Sequence, residues 1–206
     1  MGYVAVMQAV INADCTVTYL PAVQTTVAAF LAGHRPADRS RSITGTLAQP
    51  LKRVGTPDPD FHIVNQLQDP IGLVLTELDT DFSWTTDGSV ITSGSGNNTA
   101  HWHVESSCVG DSGWHLQSLT GGQGGGGVGY ASATWTGHAE WSYMGTFSAC
   151  DPNLYYNIFD NSLTGYANGS PSYCSYSQYA RHTYSGWRFY VYCYAPTQVL
   201  EDYRVP

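Results

Sequence analysis

Short segments of alternating apolar and polar side chains constrain the fold of this chain more than any other feature. The clearest is GWRFYVYCYA at residues 186–195, where the odd positions from 187 are apolar and the even ones from 188 are an arginine and three tyrosines. A period of two sends these sets to opposite faces of a β-strand. Similar segments recur after residue 99, separated by Gly, Asn and Ser. Such spacing is typical of an antiparallel β-sandwich or a Greek-key barrel.

The first 94 residues follow a more mixed pattern. The apolar run at 3–11 predicts a buried strand, and Asp87-Gly88 predicts a hairpin turn between alternating arms. Residues 21–33 change to a helical period, with Pro21 suited to the first turn and Gly33 to the C-cap. We therefore expect a mainly β protein with one N-terminal helix.

Composition divides the chain at SGSGNN, residues 93–98, which has the composition of a flexible connector. Residues 1–94 are predicted to form a mixed α/β segment or subdomain, or extra strands on the same sheets as the rest. Residues 99–206 are predicted to form a disulfide-linked, Tyr/Gly-rich β domain. Within it, GGQGGGG at 121–127 is expected to be a loop, and a hairpin is expected to turn near Thr136-Gly137.

The surface is expected to be polar but nearly uncharged. Charged residues make up 12% of the chain, about half of the usual ~25%, and Lys52 is the single lysine. Gly, Ser, Thr, Tyr and Asn take the positions that charges would normally occupy. This composition favours a secreted or cell-surface protein.

The cysteines support an oxidising compartment. None of the five forms a Cys-x-x-Cys pair, which disfavours a zinc ribbon or a thioredoxin-type site. Four lie in the second half, an even number that predicts two disulfides and leaves Cys15 over. The favoured pairs are Cys108–Cys150 and Cys174–Cys193, although three pairings of these four are possible.

Net charge and hydropathy exclude two classes of partner. The net charge of −8 leaves no basic stripe that could displace counterions from phosphates, so nucleic-acid binding is disfavoured. No stretch reaches the roughly 18–20 apolar residues of a membrane-spanning helix. No sequence motif calls for a cofactor.

HWHVE at residues 101–105 places two histidines and a glutamate at alternate positions of a predicted strand. Side chains at such positions share one face, where His101 and His103 could bind one Zn²⁺ or Cu²⁺ ion. A neighbouring strand could add His115 or His138. The competing interpretation, and the favoured one, is a solvent-facing polar strip opposite Trp102 and Val104.

Glu105 and Glu140 are two of only four glutamates, and each lies in a predicted strand near a histidine. Two carboxylates facing each other across a β-groove are the catalytic groups of a glycoside hydrolase. With His138, they are the candidate catalytic residues. The alternative is that they are solvated on the outer face of a strand.

Aromatic residues concentrate in the second half, which holds thirteen of fifteen tyrosines and five of six tryptophans. In the final alternating segment, Tyr190, Tyr192 and Tyr194 share a face with Arg188, opposite the apolar face. Exposed aromatic rings beside polar groups are typical of surfaces that bind sugars or protein loops. A ladder of tyrosines that only stabilises the sheet is the structural alternative.

Three functions are compatible with these patterns. The first is an extracellular recognition module that binds a glycan or another surface ligand through exposed aromatic residues, with residues 188–194 as the ligand-binding surface. The second is a secreted hydrolase that uses His and Glu residues of the 101–140 region. The third is a structural subunit that self-associates by strand exchange through residues 3–11.

Overall fold

The computed structural model describes residues 3–11, 17–26, 39–47, 56–57, 61–104, 113–144, 155–170, 172–181, 186–194 and 198–202. They form thirteen strands and, within these ranges, no helix. The strands are β1 Tyr3–Ile11, β2 Val17–Thr26, β3 Arg39–Thr46, β4 Thr56–Pro57, β5 Phe61–Gln68, β6 Val74–Thr86, β7 Ile91–Trp102, β8 Gly113–Gly126, β9 Ser132–Met144, β10 Tyr156–Tyr166, β11 Ser172–Arg181, β12 Arg188–Tyr194 and β13 Gln198–Asp202.

The strands form two sheets. The first has the order β2-β1-β12-β5-β6-β7-β3, with β4 added beside β6, and the second has the order β13-β11-β10-β9-β8. All pairings are antiparallel except that of β11 with β13. The expected mainly antiparallel β architecture is therefore confirmed. The first sheet takes strands from both ends of the sequence, and β7 runs through the expected connector at residues 93–98.

The two sheets pack face to face over an aromatic core. In β10 every second side chain is buried, from Asn157 to Gly165, which is the alternation expected of a strand with one covered face. The largest fully or nearly fully buried side chains come from both sheets: Phe61, Phe82, Trp84, Trp114, Trp135, Trp141 and Phe159. Five of the six tryptophans are thus buried in the core, and Trp102 is partly buried.

Glycines opposite the tryptophans allow the sheets to approach each other. Trp135 of the second sheet lies over Gly45 and Gly96 of the first, and Trp84 of the first lies over Gly165 of the second. A Cβ atom at any of these glycines would overlap the facing indole. This explains why the Gly-rich segment at 93–98 is part of a strand: its glycines accommodate a bulky neighbour.

Buried amides connect the sheets as well. Asn161 of β10 donates through Nδ2 to the carbonyl oxygen of Leu78 at 3.0 Å and to Oγ1 of Thr80 at 3.2 Å, both in β6. Asn98 of β7 donates to the carbonyl oxygen of Thr136 in β9 at 3.0 Å. Because a buried amide without partners is costly, these bonds fix how the two sheets are aligned.

The expected N-terminal helix is wrong. Residues 17–26 form β2, which pairs with β1, and residues 27–33 lie outside the described residues. The register shifts so that Pro21 lies at a bulge of an edge strand, one of the few strand positions that tolerate proline. β-Branched residues in VTYLPAVQTT and pairing with β1 outweigh the weak helical period.

Two turn predictions also fail. The strand β9 runs unbroken from Ser132 to Met144, so no hairpin turns at residues 136–137. Most of the glycine run at 121–127 belongs to β8, where Gly121, Gly122 and Gly126 adopt positive φ angles. Only glycine adopts such angles without strain, so a strand can continue through a sequence that has the composition of a loop.

A disulfide joins Cys174 of β11 to Cys193 of β12 and thereby links the two sheets. This confirms one of the two expected pairs. The other cysteines, Cys15, Cys108 and Cys150, lie outside the described residues. In the described part of the chain, no helix is long and apolar enough to cross a membrane.

Candidate functional site

The outer face of the second sheet carries a group of polar side chains on three adjacent strands. Asp160 of β10 lies directly opposite His138 of β9 on one side and Ser177 of β11 on the other. Residues directly opposite in an antiparallel pair share a face. Sheet register thus brings together residues that are up to 39 positions apart in the sequence.

His138 is held between two carboxylates. Its Nδ1 lies 2.6 Å from Oδ1 of Asp160, and its Nε2 lies 3.1 Å from Oε1 of Glu140. Ser177 donates its hydroxyl to Oδ2 of Asp160 at 2.7 Å, and Tyr156 donates to Oε2 of Glu140 at 2.6 Å. We call these five residues the His138 cluster.

The contacts determine the charge of the imidazole. Burial lowers the pKa of His138, but hydrogen bonds with Asp160 and Glu140 and the charges of both outweigh burial, so the pKa is raised above 6.5. Both ring nitrogens face acceptors, which favours the doubly protonated form. Ser177 bonds to the carboxylate instead of the imidazole, so the arrangement lacks the nucleophile–base contact of a serine hydrolase.

The His138 cluster borders a shallow depression of about 560 Å³. Hydroxyl groups and one carboxylate dominate the side chains at its surface. These are Thr120, Thr136, His138, Asp160, Ser162, Ser175 and Ser177. The carboxylate of Asp160 is about half exposed, with 51% of its side-chain surface accessible, so its remaining lone pairs can accept hydrogen bonds from a ligand.

A second cluster lies on the outer face of the first sheet, where β5 pairs with β6. His62 Nδ1 lies 2.6 Å from Oδ1 of Asp81 and 3.1 Å from Oδ1 of Asp79. Beside them, Gln66 donates a hydrogen bond to Oε2 of Glu77. Asp79 and Asp81 are two residues apart in β6 and therefore share a face, but nothing in the sequence indicates that His62 lies beside them.

Crowding of carboxylates changes their protonation. Burial, together with the charge of Asp79, raises the pKa of Glu77 to about 7, although Gln66 and His62 oppose this. Burial raises the pKa of Asp79 to about 7 as well, with the charge of Asp81 adding to it and His62 opposing it. In His62 the effect of burial is outweighed by Asp81, Asp79 and Glu77, so its pKa is raised.

The histidines of the predicted strand site are not brought together. His101 pairs with Glu77 across β7 and β6, and its Nε2 lies 3.6 Å from Oε1 of that glutamate. His103 lies just after β7, and its carbonyl oxygen accepts from the backbone N–H of Trp114 at 3.0 Å, next to His115 of β8. Even so, the ring nitrogens of His101, His103 and His115 do not form a group of three within 4.8 Å of one another. Glu105 lies outside the described residues. Of the candidate catalytic residues, the structure therefore brings together His138 and Glu140.

The tyrosines of β12 are less accessible than expected. The opposite face of the strand is buried as predicted, from Trp187 to Cys193. Tyr192 is also buried, with 5% of its surface exposed, and its ring contacts His62 edge-on at 5.4 Å. The expectation that Tyr192 is exposed is thus wrong, because β12 lies inside the sheet between β1 and β5. Arg188, Tyr190 and Tyr194 are partly exposed.

Comparison with known proteins provides no relative: no family model, no curated protein and no solved structure matches the chain.

The contacts of His138 predict how the pKa of its imidazole responds to substitution. We expect the pKa of His138, followed through its imidazole resonances by NMR, to lie above 6.5 and to fall in the variant Asp160→Asn. His101, whose pKa is lowered by burial, is the internal control. Stability contributed by charged His138 is full below the unfolded-state pKa and is lost as the pH rises through the raised folded pKa. A His138 pKa below that of His101 would contradict the cluster.

Proposed function

We propose that the chain is a secreted or cell-surface recognition module with a β-sandwich fold that binds a neutral glycan on the outer face of its second sheet. The observation that carries this proposal is the depression beside His138, whose side chains are mostly hydroxyl groups and carry the half-exposed carboxylate of Asp160. Each sugar hydroxyl both donates and accepts hydrogen bonds, so a carboxylate among hydroxyl groups suits them.

Tyrosines flank this polar surface on the same strand face. Along β11, the side chains that alternate outward include Tyr173, Ser175, Ser177 and Tyr179. The two tyrosines are six residues apart, or about 20 Å at the usual strand rise. Tyr179 is 46% exposed, and Tyr173 packs edge-on against Tyr166 at 5.8 Å. Tyrosine rings can stack on the apolar faces of sugars, so the strip suits several linked sugars.

Local charge supports a neutral ligand. The carboxylates of Asp160 and Glu140 together outweigh the single positive charge of His138, and the whole chain has a net charge of −8. Like charges across an interface are repulsive. Sulfated or uronic-acid glycans are therefore disfavoured, and a neutral oligosaccharide is the ligand class we propose.

A glycan array that contains neutral, sulfated and uronic-acid oligosaccharides tests this proposal. We expect binding to neutral glycans, and calorimetry should show about tenfold weaker binding for Tyr179→Ala and for Asp160→Asn. Tyr194→Ala is the matched control, since that tyrosine lies on the other sheet. Binding that is lost in Tyr194→Ala but kept in Tyr179→Ala would move the site to the face of β12. No binding to any neutral glycan would refute the proposal.

Hydrolysis is the second candidate function, and the 3.1 Å contact between His138 and Glu140 favours it. An imidazole held in its protonated form between carboxylates could act as a general acid. Glu140→Gln distinguishes the two functions, because it should abolish turnover of any glycan that is cleaved while leaving recognition through Tyr179 in place.

A further inference from the structure

The His62 group differs from other polar clusters of this protein in how its potential ligand atoms converge. Nδ1 of His62 and one carboxylate oxygen each of Asp79 and Asp81 all lie within 4.8 Å of one another, and no other such group of three occurs among the described residues. A single ring nitrogen faces both carboxylates, at 2.6 and 3.1 Å. Ligands of a tetrahedral zinc ion are about 3.3 Å apart, given bonds of about 2.0–2.1 Å. To admit the ion, the contact with Asp81 would lengthen by about 0.7 Å and the contact with Asp79 by about 0.2 Å.

Two buried oxygens at the same place accept no hydrogen bond. Oδ1 of Asp79 is buried and accepts no hydrogen bond, and its ion-pair contact is with His62 Nδ1 at 3.1 Å, a proposed ligand of the same ion. Oδ1 of Asn97 is also buried without a hydrogen bond, and Asn97 lies directly opposite Asp81 in the sheet. Buried oxygens of this kind are costly unless a donor or a cation satisfies them.

We propose that His62, Asp79 and Asp81 bind one Zn²⁺ ion on the outer face of the first sheet. An imidazole with two carboxylates suits zinc, whereas Ca²⁺ takes six to eight oxygen ligands. Tyr192 packs its ring edge-on against His62 and restricts the rotation of the imidazole. The site is independent of the proposed glycan surface, which lies on the other sheet.

The His138 cluster contains the same residue types, but its geometry does not suit a metal ion. There the carboxylates of Asp160 and Glu140 contact opposite nitrogens of the ring, Nδ1 and Nε2. One metal ion cannot bind both nitrogens of one imidazole together with both carboxylates. The variant His138→Gln is therefore a matched control that removes a histidine between two carboxylates without touching the proposed site.

Zinc titration by calorimetry, on the full chain with free thiols alkylated, tests the proposal. We expect one Zn²⁺ per chain, with an affinity at least about 100-fold weaker in His62→Gln and in Asp79→Asn and unchanged in His138→Gln. Asp81→Asn provides a second ligand variant in which folding is less at risk, since that side chain is 45% exposed. Far-UV circular dichroism checks the fold of each variant, and the melting temperature of the parent protein should rise with zinc concentration.

Several outcomes would overturn the proposal. One is the absence of saturable zinc binding by the parent protein. Another is binding that persists unchanged in folded His62→Gln and Asp81→Asn. If zinc binding is lost instead in His103→Ala, the ion belongs to the strand that carries His101 and His103. Equal competition by Ca²⁺ would show a site built from oxygen ligands without the imidazole.

Discussion

Trp141→Ala is expected to lower the free energy of unfolding by about 3–5 kcal/mol. The indole is fully buried in the middle of the second sheet and meets the ring of Phe159 edge-on at 5.5 Å. Truncation to alanine removes its contacts and leaves a cavity between two sheets that cannot close over it. For a chain of this size the melting temperature should fall by roughly 6–20 °C.

Differential scanning calorimetry measures this change. Tyr179→Ala is the control, because an exposed tyrosine contributes within about 0.5 kcal/mol to stability. A loss below about 1 kcal/mol for Trp141→Ala would mean that the indole does not lie in a packed core.

Asn161→Ala should lower the free energy of unfolding by on the order of 3 kcal/mol, although it removes few atoms. The amide of Asn161 reaches across to Leu78 and Thr80 of the other sheet, and its Oδ1 accepts from Nδ2 of Asn65 at 3.3 Å. Its loss leaves several buried polar groups without a partner, each at about 1–3 kcal/mol before relaxation. Urea denaturation measures the change. If the slope of the free energy of unfolding against urea concentration is unaltered, the substitution does not affect the unfolded state.

Ser162→Ala is the matched control for this position. Ser162 is the next residue of β10 and points to the outer face, so its substitution should change stability by about 0.5 kcal/mol at most. A double-mutant cycle with Thr80→Val should give a coupling energy of about 0.5–3 kcal/mol with Asn161→Ala. Strict additivity would contradict a hydrogen bond between the sheets.

Strands were the part of the fold that the sequence could predict. The segment at 3–11 matches β1 residue for residue, and the turn at Asp87-Gly88 joins β6 to β7. Period-two patterns and turn residues act locally, so a single sequence records them. Where strands lie in the sheets is not local: β12 pairs with β1 and β5, at least 120 residues earlier in the chain.

The failed predictions share a cause. The composition around Gly94 and Gly96 predicts a connector, and the pattern from Pro21 predicts a helix. Gly94 and Gly96 lie beneath the side chains of Leu47 and Trp135, and residues 21–26 belong to β2, which pairs with β1. Composition cannot reveal that a glycine is required by a facing indole or that a proline lies at a bulge. In both cases tertiary contacts override local preference.

The candidate sites show the same limit. His138 and Glu140 are candidates in the sequence because Glu140 is one of four glutamates and lies near a histidine in a predicted strand, whereas its expected partner Glu105 lies outside the described residues. Asp160 and His62 were missed because each joins its cluster from a neighbouring strand, where the register decides the contact. Tyr192 was placed on the correct face of β12 but was expected to be exposed, since the sequence does not tell an edge strand from a central one.

The disulfide between Cys174 and Cys193 has a mechanical consequence. Tension that enters through the C-terminal strand β13, on the second sheet, passes through the covalent bridge and bypasses the 19-residue span between the two cysteines. That span would otherwise lengthen by roughly 60 Å when pulled straight. Under load, the oxidised chain therefore extends less than the reduced chain. The disulfide also keeps the two sheets connected after their shared core has been pulled apart.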